Sequence, residues 1–144
     1  MTKVTTTSRV MLKAQPEEVF AYVSDLTRHP EWSGSALKVE ALTPGPVGVG
    51  SQYRSIGGQG NRINELRVTA YEPPTRFGFI AKDQMGEVTH EFTFNAQDGG
   101  TLMLRKVTGT MPLMVSILFR TFLYPMRGKP SMDKAMANLK AKWE

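Results

Sequence analysis

No cysteine occurs anywhere in the 144 residues. That excludes a disulfide framework, a thiolate nucleophile, and a Cys-ligated zinc or iron–sulfur centre, and it agrees with a reducing, cytoplasmic setting. Only two histidines, His29 and His90, are present. No carboxylate cluster at metal-ligand spacing accompanies them, so neither a metal nor any other cofactor is expected. Long apolar runs are missing too. The longest, 111–119, is interrupted by Pro112 and Ser116 and stopped by Arg120, far short of the roughly 18 apolar residues of a membrane span. The opening Met-Thr-Lys-Val-Thr-Thr-Thr-Ser lacks the apolar centre of a secretory signal.

What is present reads as a globular chain. Hydrophobic residues make up 40% and charged residues 22%, too apolar and too weakly charged for general disorder. The length suits one domain, 1–144, able to bury roughly 70% of its unfolded surface, enough for a core with a cavity in it. The formal charge is +5, and it is unevenly placed. Residues 1–119 carry a net +1, whereas 120–144 hold six basic side chains against Asp133 and Glu144, a net +4. A general basic balance would point to nucleic acid. A local one points to an anionic membrane, an acidic ligand head group, or a solvated helix face. No nucleic-acid motif is present, and the basic residues do not interleave with stacking aromatics, so nucleic acid is not an expected partner.

Residues 3–13 are rich in Thr and Val and read as a strand, with Val4, Thr6, Ser8, Val10 and Leu12 on one face. Pro16-Glu17-Glu18 opens a helix, since proline's missing N–H is unneeded in a first turn and the acids face the positive dipole end. Val19, Phe20, Val23 and Leu26 repeat at helical spacing. A second short helix follows His29-Pro30. From 37 to 111 the chain breaks into β-like runs: 37–42, 52–56, 62–72, 76–82, 87–94 and 101–111. Gly- and Pro-rich turns at 44–50, 57–61, 73–74 and 98–100 separate them, which is the pattern of a meandering antiparallel sheet. Residues 113–144 read as a helix with a break at 124–130, where Pro125, Gly128 and Pro130 gather. Met132, Met136, Leu139 and Trp143 mark its apolar face. The expected architecture is α+β: a curved antiparallel sheet of about seven strands gripping a long C-terminal helix, with two short helices closing one end.

The run Ala14-Gln15-Pro16-Glu17-Glu18-Val19-Phe20-Ala21-Tyr22-Val23-Ser24-Asp25, followed by Pro30-Glu31-Trp32, resembles the opening of the polyketide cyclase/dehydrase-like members of the START/Bet v 1-like (SRPBCC) superfamily. Gly48-Val49-Gly50-Ser51, Tyr71-Glu72-Pro73-Pro74 with Arg76-Phe77, Asp98-Gly99-Gly100-Thr101 and the ending from Leu139 extend the resemblance over nearly the whole chain. It implies the helix-grip fold and a hydrophobic cavity between sheet and long helix. The family includes cyclases, lipid and quinone carriers and other ligand binders, and it has no universal catalytic motif to transfer.

Candidate site residues come from alternation. Val88, His90, Phe92 and Phe94 share one strand face, so His90 is an inward polar group among aromatics, able to orient a ligand or act as a base. The plainer reading is a cavity-edge histidine satisfied by a neighbour. Arg62 and Asn64 alternate with Leu66, Val68 and Ala70. Tyr53 and Arg54 have opposite parity, so only one points inward. Arg105 is ambiguous, with Leu102 and Leu104 arguing one way and Met103 and Val107 the other. Arg54 and Arg62 are therefore the preferred cationic candidates, able to bind a carboxylate or stabilise an enolate. Met114, Leu118, Phe122, Met132 and Met136 are read as an adaptable cavity roof. His29 and Trp32 belong to the His-Pro-Glu-Trp turn, with Trp32 plugging the small-helix end of the core. Ser35–Lys38 and Ser131–Lys134 fit Ser-x-x-Lys without companion motifs, and 45–50 matches no phosphate-binding loop.

The expected function is binding or carriage of a small hydrophobic or amphipathic ligand, such as a lipid, a quinone or a polyketide-like aromatic. The alternatives are a metal-free cyclase or dehydratase using His90 with an arginine, and a membrane-surface module built on the apolar segment 113–123 beside Arg120, Arg127 and Lys129. The sequence leaves monomer and homodimer both open.

Overall fold

The computed structural model describes residues 2–33, 38–57, 62–83 and 86–143, without the side chains of Arg62, Asp83 and Arg127. The expected turn at 58–61 and the first three residues of the 35–38 Ser-x-x-Lys match lie outside that set. Strand β1 (Thr2–Leu12) leads into α1 (Pro16–Val23), a 3-10 turn (Leu26–Arg28) and α2 (Pro30–Ser33). Strands β2 (Lys38–Ala41), β3 (Gln52–Gly57), β4 (Arg62–Glu72), β5 (Arg76–Asp83), β6 (Gly86–Gln97) and β7 (Gly100–Met111) follow. The helical rod 113–142 closes the chain: α3 (Leu113–Leu118), a π-wound stretch (Phe119–Gly128) and α4 (Lys129–Lys142). All strand pairs are antiparallel, in the order β1-β7-β6-β5-β4-β3-β2. This is the expected seven-stranded helix grip.

Local chemistry sets the register that matters for the site. Gln97 pairs with Gly100, so the β6–β7 hairpin turns on two residues, Asp98 and Gly99, both with positive φ (51° and 77°). Such a turn matches the right-handed strand twist, and glycine takes it without steric cost. Gly100 is required for another reason. A Cβ there would lie 2.3 Å from the carbonyl oxygen of Leu12. The turn's register places Phe92 opposite Arg105 and Phe94 opposite Met103.

The concave face carries the core. Phe77, Phe92, Phe94, Met103 and Val68 are almost fully buried there, and Phe20 of α1 packs edge-on to Phe94 at 5.4 Å and to Tyr71 at 5.3 Å. Tyr71 reaches that face because Thr69 is an extra residue between Val68 and Ala70, a β-bulge that switches the parity of β4. Ala70, expected inside with Leu66 and Val68, is therefore displaced from the inner row.

The C-terminal rod is continuous rather than broken at 124–130. Pro125 has no N–H to give, and the backbone widens to π winding, with the Lys129 N–H bonded to the Tyr124 carbonyl. Only α4 grips. Ala135, Met136 and Leu139 are buried. Asn138 Nδ2 donates to the Trp32 carbonyl at 3.1 Å, and Trp143 Nε1 donates to Glu18 at 3.1 Å. The first half of the rod runs along the β1 edge, where Arg120 Nη2 donates to the Lys3 carbonyl at 3.3 Å. There Leu113, Met114, Val115, Ile117, Leu118, Phe122, Leu123 and Met126 are all exposed, Met114 by 82%.

Candidate functional site: a groove on the inner face of the sheet

Where the first half of the rod follows the β1 edge, it leaves part of the inner face open. A groove of about 520 Å³ lies between β4–β7 and the start of the rod. Asn64, Ala81, Val88, His90 and Gly109 come from the strands, and Met111, Pro112 and Val115 from the junction with α3. Most of its surface is apolar; Asn64 and His90 are its polar groups from the inner face, and Glu87 and Thr110 stand at its edge.

His90 connects the groove to a deeper polar cluster. Its ring stacks on Phe79 at 4.5 Å and 7°. Arg105 Nη2 donates to its Nδ1 at 3.4 Å. Arg105 is 8% exposed, and its guanidinium lies over Trp32 and Phe92 at 5.5 and 5.6 Å. His29, also buried, packs edge-on to Trp32 at 4.6 Å and to Phe79 at 6.1 Å. Trp32 thus closes the small-helix end of the core, as its turn predicts, and it also forms a wall of this cluster.

The electrostatics follow from burial. Desolvation pushes the Arg105 guanidinium down to about 10, so it stays protonated at neutral pH. Desolvation first, then the Arg105 charge, push His29 down to about 3. The same causes, with His29 added, hold His90 well below the ordinary histidine range. Both imidazoles are neutral at physiological pH. Since Nδ1 of His90 accepts from Arg105, the remaining ring proton sits on Nε2. A histidine this hard to protonate is a weak base at neutral pH and a good hydrogen-bonding post.

The sequence-derived candidates separate on this geometry. His90 and Asn64 line the groove, whereas Phe92 and Phe94 are buried in the core and do not line it. Arg54 does not join them. In β3 Tyr53 and Ser55 are buried, so the alternation turns Arg54 outward. The Arg62 side chain lies outside the described residues. Met114, Leu118 and Phe122 do not form a roof. They are 82%, 48% and 58% exposed, because the rod follows the β1 edge instead of crossing the concave face. Met136 is buried in the grip, and Met132 is half-buried, accepting from Thr6 Oγ1 at 3.6 Å.

The residue that alternation alone missed is Arg105. Leu102 and Leu104 lie on the outer side, and Thr101, Met103 and Arg105 are buried. The signal that finds it is the two-residue Asp98-Gly99 turn, which fixes Arg105 opposite inward Phe92. Among the described residues no group of three His, Asp or Glu side chains is arranged to hold a metal ion. Nor, among them, is any helix long and apolar enough to cross a membrane.

Comparison with known proteins agrees with this architecture. The family described as polyketide cyclase / dehydrase and lipid transport matches residues 1–144. The chain belongs to that family. Among solved structures, the NMR structure of the KanY protein (ms6282) is similar with 23% identity over 99% of this chain and 98% of that one, at a TM-score of 0.72. Ara h 8.0201, a Bet v 1-like protein, aligns over 97% of this chain and 99% of its own with 13% identity and a TM-score of 0.66. SA2116 from Staphylococcus aureus, a protein of unknown function, aligns over 98% and 96% with 16% identity and a TM-score of 0.72. These likenesses establish the fold. No curated protein matches the chain.

Proposed function

We propose that the protein binds and carries a small, largely apolar ligand in the groove between β4–β7 and the start of the C-terminal rod. One observation carries the reading: a mostly apolar space of about 520 Å³ on the inner face of the sheet, with Asn64, His90, Glu87 and Thr110 as its polar lining residues. The family's association with lipid transport supports it. Gly109 supplies the means of testing it. A Cβ at Gly109 would meet only Val88 Cγ2, at 3.7 Å, so Gly109→Leu fills the groove without disturbing the backbone. Titration with a panel of fatty acids, quinones and polycyclic aromatics, followed by native mass spectrometry, should show one-to-one complexes that Gly109→Leu abolishes. No complex with any member, or complexes indifferent to Gly109→Leu, would refute the groove as the binding site.

A cyclase or dehydratase is the less supported reading. His90 and Arg105 do converge, but the imidazole's depressed basicity favours holding a ligand over removing its protons.

A second surface supports contact with an anionic lipid bilayer. The exposed apolar residues 113–126 stand beside the groove mouth, and exposed Arg120 and Lys129 flank them. Such contact would place the groove mouth next to lipid. Flotation with phosphatidylserine vesicles, absent with phosphatidylcholine alone, is the expected result. No flotation with either retires this contact.

A further inference from the structure

Deep to His90, the cluster around Arg105 is rich in donors and, among the described residues, pairs with no anion. The Nε of Arg105 is buried with no hydrogen-bond partner among the described residues, and so is Nε1 of Trp32. Both atoms can only donate. Ser8 Oγ, directly across β1–β7 from Arg105, is buried and unpartnered as well. His90 Nε2 adds a further N–H. Every ion pair among the described residues leaves Arg105 out. A buried guanidinium without a counter-ion is held at a free-energy cost, and structures retain such a charge where something negative meets it.

Arg105 lies just behind the inner end of the groove, in hydrogen-bond contact with the lining residue His90. His90 lines the groove and pairs across the sheet with Val107, two residues along β7 from Arg105. Arg105 is therefore one inward-facing position deeper than the groove's end. The guanidinium packs against the edge-to-face pair of Trp32 and Phe92, whose ring centroids are 6.2 Å apart.

We propose that Arg105, with His90, Ser8 and Trp32, holds the carboxylate of an otherwise apolar ligand whose body lies in the groove. The guanidinium supplies the charge and a planar pair of N–H groups that matches a carboxylate. His90 takes an oxygen from the groove side, and Ser8 and Trp32 donate from the flanks. The ligand's charge is neutralised only at the buried end, so the site selects an apolar acid over its neutral isostere. This assignment rests on the groove being the ligand site.

The test uses matched pairs that differ only at the head: dodecanoate against dodecanamide, and naphthoate against naphthamide, at a pH where the acids are ionised. Wild-type protein should bind each carboxylate about tenfold or more tightly than its amide, one charged hydrogen-bonded contact's worth of discrimination. Arg105→Met should erase that preference and leave amide binding in place. On the wild type itself, the Arg105 Nε–H proton resonance should move downfield with naphthoate and stay with naphthamide. That readout decides the matter even where Arg105→Met does not fold. Equal binding of acid and amide by the wild type, or an unmoved Nε–H resonance, overturns the head-group assignment while leaving the groove reading standing. Binding of neither partner of either pair defeats the groove reading as well.

Discussion

Replacing Arg105 by methionine should stabilise the ligand-free protein. Burial pushes the guanidinium down to about 10. At 1.36 kcal/mol per pKa unit, keeping it charged in that environment costs roughly 3 kcal/mol relative to water. Two aromatic faces, Trp32 and Phe92, return part of this as cation–π attraction, about 0.5–1 kcal/mol each. Methionine removes the charge and keeps much of the apolar stem's packing. His90 Nδ1 loses its donor, which takes back about 1 kcal/mol. The balance is a gain of about 1 kcal/mol, in line with other buried charges replaced by apolar side chains. For a domain of this size it should appear as a rise in Tm of roughly 3 °C. Urea unfolding followed by circular dichroism measures it, with an unchanged slope showing that the same surface is exposed. A loss of 1 kcal/mol or more would refute the reasoning: Arg105 would then be a structural strut, and its burial would need no ligand to explain it.

His29 and His90 are both neutral in the folded state and titrate below their unfolded values. The unfolded chain therefore takes up protons first as pH falls below about 6.5, and stability drops from there, for His29 down to about pH 3 and by up to about 1.4 kcal/mol per pH unit, with His90 acting in the same direction. Urea titrations at pH 7 and pH 5 should differ by about 2 kcal/mol for His29 alone, and Arg105→Met, which removes a repelling charge, should make the decline shallower. Leu139→Ala empties a fully buried position where α4 meets the core. It should cost about 2–5 kcal/mol by thermal or urea unfolding. Met114→Ser combined with Phe122→Ser alters only exposed positions; stability should stay within about 0.5 kcal/mol while flotation with anionic vesicles falls.

Much of the fold was legible because its signals are local. Pro16-Glu17-Glu18 starts α1, the alternation of Val88, His90, Phe92 and Phe94 faces β6 inward, and Asp98-Gly99 makes the hairpin. Three features were not local. The Thr69 bulge depends on how β4 pairs with β5, so nothing in 62–72 alone reveals the parity switch at Tyr71. The segment 113–126 is apolar almost all round, so periodicity could not say which side packs, and the structure leaves Met114, Leu118 and Phe122 in solvent. The site's cation depended on register. Apolar residues flank Arg105 on both parities, and only the turn length at Asp98-Gly99, carried along the β6–β7 ladder, orients it inward. Arg54 failed for the complementary reason: Tyr53 competes for the inside and wins, since burying an aromatic ring is favourable and burying an unpaired guanidinium is not.

The most direct test of the groove itself is a residue-resolved NMR titration of the wild-type protein with naphthoate. The account predicts shifts concentrated at Asn64, Val88, His90 and Gly109, extending to Arg105, with Gln52, Arg67 and Ile80 on the opposite face of the sheet unmoved. Shifts confined to that opposite face, or none up to the solubility limit of naphthoate, would contradict it.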